Sequence, residues 1–119
     1  MTMDQFIEKS VLQIVGNPIC VEASDGEKVA NVVKTFFDEK KGVFLDFLNV
    51  TMLTSAFLNT AIGALYGQYT EEEIKNHLRV KNLLPADSVL LKRVVDTAKM
   101  YYKSPKQIEE SVKKILEED

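Results

Sequence analysis

Hydrophobic positions recur along the chain with two different periods, and the switches between them lay out the elements. Val11-Leu12-Gln13-Ile14-Val15 is dense in β-branched residues and reads as a strand. Gly16-Asn17-Pro18 is a turn signal, and Ile19-Cys20-Val21 then forms a second short strand that makes a hairpin with the first. Ser24 and Glu27 have capping-box spacing. Val29, Val32, Val33, Phe36 and Phe37 follow at the spacing of a helix with one buried face, and Gly42 ends it. Val43 to Val50 is a nearly continuous apolar run, which predicts a central strand buried on both faces between helices. Asp46 interrupts it, so its carboxylate is expected near the strand end or paired with backbone amides.

Thr51 to Ser55 reads as a loop ending in helix-capping residues. Phe57, Leu58, Ala61, Ile62, Leu65 and Tyr66 predict the next amphipathic helix, closed by Gly67. Thr70 and Glu73 form another capping box that starts a short helical turn. Leu78 and Val80 alternate with Arg79 and Lys81, as in a half-buried strand near a sheet edge. Pro85-Ala86-Asp87 opens a long helix whose inward positions run from Leu90 and Leu91 to Tyr101 and Tyr102. Ser104-Pro105 is an N-cap with proline at the first helical position, and the helix from 104 to 119 carries Ile108, Val112, Ile115 and Leu116. Strands alternating with helices of this length imply an α/β fold with a largely parallel sheet. No linker or repeat divides residues 1–119, so a single domain is expected.

Composition narrows the function classes. A net charge of −3 with no basic stripe argues against a nucleic-acid partner. No apolar run approaches the roughly 20 residues of a membrane span, and Met1 to Gln5 carries no basic leader region. A single cysteine, Cys20, provides neither a disulfide framework nor a thiolate metal site. A reducing, cytoplasmic setting without membrane contact is the expectation. No phosphate-cradling glycine loop, catalytic triad spacing or metal-ligand cluster is visible, so no catalytic residue, metal or cofactor is expected. An enzyme would need Asp46, Ser55 and His77 to converge in a pocket. His77 sits in the polar stretch Lys75-Asn76-His77 and reads as a surface residue, whereas Cys20, between Ile19 and Val21, reads as a buried, inert thiol.

Val43 to Gly67 also resembles a known pattern. Leu45-Asp46-Phe47, Val50 and Ser55-Ala56-Phe57, with Asp25-Gly26-Glu27 upstream, resemble the STAS domain of bacterial anti-sigma factor antagonists. They are more similar still to the STAS-like domain of unknown function. That resemblance implies a STAS-like mixed sheet of about four strands with helices packed against it. It implies regulation and signalling through a protein partner, such as a histidine-kinase-like ATPase or another regulator. In the antagonists a serine at the start of this helix is phosphorylated. Ser55 takes that position here, Thr54 stands where an aspartate often precedes it, and Ala56-Phe57 replace the usual Ser-Gly.

A phosphate on Ser55 or Thr54 would add about two negative charges at a helix start, although Ser and Thr are ordinary N-caps and the simpler reading is that one of the two only caps the helix. Asp46 is expected to anchor the loop that follows it. The expected partner surface spans Met52 to Leu58 with Asn59. Met52, Leu53 and Phe57 would be its apolar anchors, and Thr54 and Ser55 its switchable polar groups. The alternative is a homo-oligomeric assembly role through the C-terminal helix.

Overall fold

The structure, a computed structural model, describes residues 5–103. The expected helix over 104–119 lies outside the described residues. The chain runs β1 (Phe6–Ser10), α1 (Val11–Val15), β2 (Ile19–Cys20), α2 (Ala23–Asp38), β3 (Gly42–Asp46) and β4 (Met52–Leu53). It continues through α3 (Ser55–Ala61), a 3₁₀ turn (Gly63–Gly67), α4 (Glu71–His77), β5 (Leu78–Lys81) and α5 (Pro85–Lys103). The fold is α/β, as the alternating periods predict. The described strands number five and fall into two parallel sheets, β1-β3-β5 and β2-β4.

The first strand lies upstream of its expected position. Val11 to Val15 forms a helix because both ends are capped, which overrides its β-branched composition. The Ser10 hydroxyl accepts from the Gln13 amide at 3.1 Å. Gly16 turns left-handed at φ 79° and donates its amide to the Leu12 carbonyl at 2.7 Å. Val11 and Val15, four residues apart, then share the buried face. With no strand at 11–15 the expected hairpin does not form. Ile19–Cys20 pairs instead with Met52–Leu53 across a long connection, so the expected mixed sheet has no antiparallel pair among the described strands.

Helix α2 buries the predicted stripe, with Val29, Val33 and Phe37 in the core. Its start and end differ from expectation. Glu22 occupies the N-cap without a side-chain bond, which leaves Ser24 inside the first turn. Lys40 takes the left-handed position (φ 64°) that ends the helix, while the Lys41 amide bonds the Phe36 carbonyl at 2.9 Å. Gly42 instead opens β3, where an added Cβ would lie 2.6 Å from the Phe6 ring.

Strand β3 is central, as predicted, and Val43 and Leu45 are fully buried on its helix-facing side. Phe44 alternates with them and is only half-buried, so the strand is not buried on both faces. The Phe6 ring lies 5.7 Å from Phe44, the Lys81 ammonium sits 5.6 Å over it, and Lys81 pairs with Glu8. The strand ends at Asp46 rather than Val50. Beyond it Asn49 adopts φ 67° and the Val50 amide bonds the Phe47 carbonyl at 3.0 Å, which tucks Phe47 and Val50 back into the core.

Helix α3 crosses α2 at Gly26, where a Cβ would stand 2.6 Å from the Phe57 carbonyl oxygen. Helix α5 lies along α3 and the 3₁₀ turn, with Val94 and Ala98 buried between them. Tyr102 packs over Gly67 and Tyr101 is 63% exposed, so one tyrosine of the pair packs and the other faces solvent. No helix of the described residues is long and apolar enough to cross a membrane.

Candidate functional site

The site forms where the two small strands deliver the chain to α3. Register pairs Cys20 with Leu53 and Ile19 with Met52. Alternation sends the first pair into the core and leaves Ile19 at 47% and Met52 at 53% exposure. The Thr51 amide bonds the Pro18 carbonyl at 2.8 Å.

The adjacent hydroxyls Thr54 and Ser55 have different surroundings. Thr54 is the N-cap of α3: its Oγ1 accepts from the Phe57 amide at 3.2 Å and donates to the Val21 carbonyl at 2.7 Å. Its hydroxyl thus holds the helix start against the segment that follows β2. Ser55 is the first helical residue and is exposed. Asn59 follows one turn later on the same side. Ser55 and Asn59 line one wall of a shallow groove of about 190 Å³, and Leu90, Arg93 and Thr97 of α5 line the other.

Leu53 and Phe57 do not belong to this surface. Phe57 is fully buried and Leu53 is 9% exposed. The third residue of α3 points toward α2, and the strand pleat turns Leu53 inward beside Cys20. Met52 is the exposed apolar residue of the predicted set. Its partner Ile19 was not legible in the sequence because the pairing spans a long connection. Arg93 was also missed. Helical spacing puts it on a flank of α5, and only the packing of α5 along α3 brings it opposite Ser55.

Asp46 sits at the end of β3. One carboxylate oxygen accepts from the Leu48 amide at 3.0 Å and from the Asn82 side-chain amide at 2.7 Å. It ties the loop after β3 to the residue after β5. His77 lies at the opposite end of the sheet. It immediately precedes β5, whereas Asp46 is level with Lys81, about four residues or 13 Å further along. Asp46 and His77 therefore do not converge on Ser55. The His77 ring packs edge-on to Phe37 at 6.0 Å, and its Nδ1 is 2.9 Å from the Glu73 carbonyl.

His77 shares a hollow of about 350 Å³ with Tyr69, Asp38, Lys40 and Glu73. Burial, followed by the hydrogen bond to Asp38, holds the Tyr69 phenol above its ordinary range. The Thr70 amide, which donates to Glu73, holds that carboxyl below its own. These are the contacts of the predicted capping box at the start of α4. Cys20 is fully buried, and burial first, with Asp25 second, pushes its thiol up to about 11. Among the described residues no group of three or more His, Cys, Asp or Glu could hold a metal ion.

Parallel strands with α2 packed on them, α3 packed in turn on α2, and a small second ladder leading into α3 define an α/β domain. The chain belongs to the family described as STAS-like domain of unknown function (DUF4325), whose model matches residues 25–87. The matched span runs from the first turn of α2 to the start of α5 and includes Asp46, Met52, Thr54, Ser55 and Asn59. No curated protein and no solved structure matches the chain.

Proposed function

We propose that this domain is a non-catalytic regulatory module that binds another protein through Met52, Ser55 and Asn59, and that phosphorylation of Ser55 switches the contact. The observation that carries the reading is the unequal state of the two hydroxyls. Thr54 is engaged on both sides by Val21 and Phe57, while Ser55 is exposed beside it. A phosphate on Ser55 would add about two negative charges to a groove that Arg93 also lines. Met52 and Ile19 supply an exposed apolar pair next to that charge. A complementary partner carries an apolar contact and an acidic rim that the phosphate repels. The antagonist resemblance favours an ATPase-fold kinase as the protein that both binds and phosphorylates.

The test is affinity capture from the native host with wild type and Ser55→Asp, together with the intact mass of the endogenous protein. A regulator retained by wild type and lost by Ser55→Asp, with phosphate mass on the endogenous chain, is the expected result. Capture that is insensitive to residue 55, with no phosphate mass, overturns the reading.

A further inference from the structure

Among the described residues the parallel sheet β1-β3-β5 is covered on one side only. Val43 and Leu45 face a single core, and every described α-helix sends buried residues into it: Val11 from α1, Val33 from α2, Phe57 from α3, Ile74 from α4 and Val94 from α5. Phe6 and Phe44 have no part in that core. Alternation turns them to the other side of the sheet, together with Glu8 of β1 and Arg79 and Lys81 of β5. All-parallel sheets are almost always covered on both faces, so a bare one is an unusual surface. The Phe6 ring folds over Gly42, where a Cβ would stand 2.6 Å from it, and lies 5.7 Å from the Phe44 ring. The two rings thus run along the middle of the open face. The Arg79 guanidinium sits 5.2 Å over Phe6. Leu48, 55% exposed just beyond the end of β3, extends the apolar line.

The charges on this face suit a second copy of itself. Glu8, Phe44 and Arg79 are level with one another across the three strands, so one rung reads acid, ring, base. Both charged residues are exposed. Two such faces can stack about a twofold axis with their strands aligned in two ways. An axis across the strands sets every strand over its own copy, with Glu8 opposite Glu8 and Arg79 opposite Arg79, which is repulsive. An axis along β3 sets Phe44 on Phe44 and Glu8 of each copy opposite Arg79 of the other. Asp46 then meets its own copy, but its carboxylate is held by the Leu48 amide and the Asn82 side chain, and Lys81 is level with it. The face measures about 14 by 16 Å, from strands about 4.8 Å apart and residues at about 3.3 Å. That outline is far smaller than the roughly 800 Å² each partner buries in a standard interface, so the contact is weak and forms at high protein concentration.

We infer that this chain forms a weak dimer by stacking the open faces of two β1-β3-β5 sheets about a twofold axis along β3, with Glu8 of each copy opposite Arg79 of the other. The face lies across the sheet from α2 and α3, so the inference does not rest on the switch proposed for Ser55.

Sedimentation equilibrium of the full-length chain from micromolar to millimolar concentration tests it. The wild-type average mass should rise from 13.5 kDa toward the dimer value. Glu8→Arg and Arg79→Glu each place like charges opposite one another on both sides of the axis, so each variant alone should stay monomeric, with circular dichroism confirming that it is folded. An equimolar mixture of the two variants should associate, because every charged contact across the axis is then acid against base. The double variant, with both changes in one chain, should dimerise as wild type does, and it tests the same register if a single variant fails to fold. A wild type that stays monomeric throughout, a dimer indifferent to either reversal, or a mixture that fails to associate overturns the inference. So does a monomer that retains a short single-stranded oligonucleotide, whose bases and phosphates the two rings and two cations would also suit.

Discussion

Thr54→Ala and Ser55→Ala delete the same hydroxyl oxygen from adjacent positions and should have very different effects. Thr54 Oγ1 caps the Phe57 amide at 3.2 Å and donates to the Val21 carbonyl at 2.7 Å. Loss of an N-cap costs about 1 kcal/mol, and stranding a part-buried carbonyl costs about 1 more. Thr54→Ala should therefore destabilise the domain by about 2 kcal/mol. Thr54→Ser keeps both bonds and should recover most of that loss. Ser55 is exposed, and its replacement by alanine should change stability by less than about 0.5 kcal/mol. The assay is urea unfolding of the full-length variants followed by far-ultraviolet circular dichroism. With a slope of roughly 1–3 kcal/mol per molar, the Thr54→Ala midpoint should fall by about 1 M while that of Ser55→Ala stays near wild type. Equal shifts for the two alanine variants, or a larger one for Ser55→Ala, would refute the assignment of structural and free hydroxyl on which the proposed switch depends.

Two further outcomes test the packing around the site. Gly26→Ala places a Cβ 2.6 Å from the Phe57 carbonyl oxygen and 3.1 Å from the Ala61 amide nitrogen, so α2 and α3 must separate. A loss of about 1–3 kcal/mol is expected in the same urea assay, although alanine is the better helix former. Cys20 should resist a thiol reagent at neutral pH in the folded protein and react promptly in denaturant, as read by thiol titration. Its pKa is raised from 9.0 unfolded to about 11 folded, so the folded state disfavours the thiolate. The corresponding stability is complete below pH 9 and is lost as pH rises through 11. Cys20→Ala should lack that component of the alkaline decline.

The sequence was most legible where a long period or a reciprocal cap was present. The α2 stripe, the central placement of β3, the box from Thr70 to Glu73 and the opening of α5 at Pro85 all follow from local spacing. Short elements were less legible, because two hydrogen bonds can outweigh five propensities. Val11 to Val15 is helical for that reason, with Ser10 and Gly16 fixing its ends. Lys40 illustrates a related failure. A lysine in the left-handed region is uncommon, so Gly42 looked like the better helix stop, yet Gly42 is needed where the Phe6 ring crosses β3. At the site, the residue types were legible but their directions were not. Phe57 and Met52 are both apolar residues near a helix start, and only the strand register and the crossing at Gly26 send one into the core and leave the other outside.

The start of α3 is tied to a distant part of the chain at three points. Thr54 reaches Val21, Thr51 reaches Pro18 through both amide and hydroxyl, and Leu53 pairs with Cys20. Each tie closes a loop of about 33 residues whose entropy is already committed on folding. None of them uses the Ser55 side chain. A phosphate on Ser55 would therefore leave the anchoring bonds intact, and the helix start would keep its place. The proposed switch then works through surface charge, repelling or attracting what lies in the groove, rather than by melting the element that presents it. On Thr54 the same phosphate would have to break the bond to Val21 and would unfold the helix start instead. The unequal hydroxyls thus separate two kinds of regulation, and the proposed switch at Ser55 is the one that would preserve the fold.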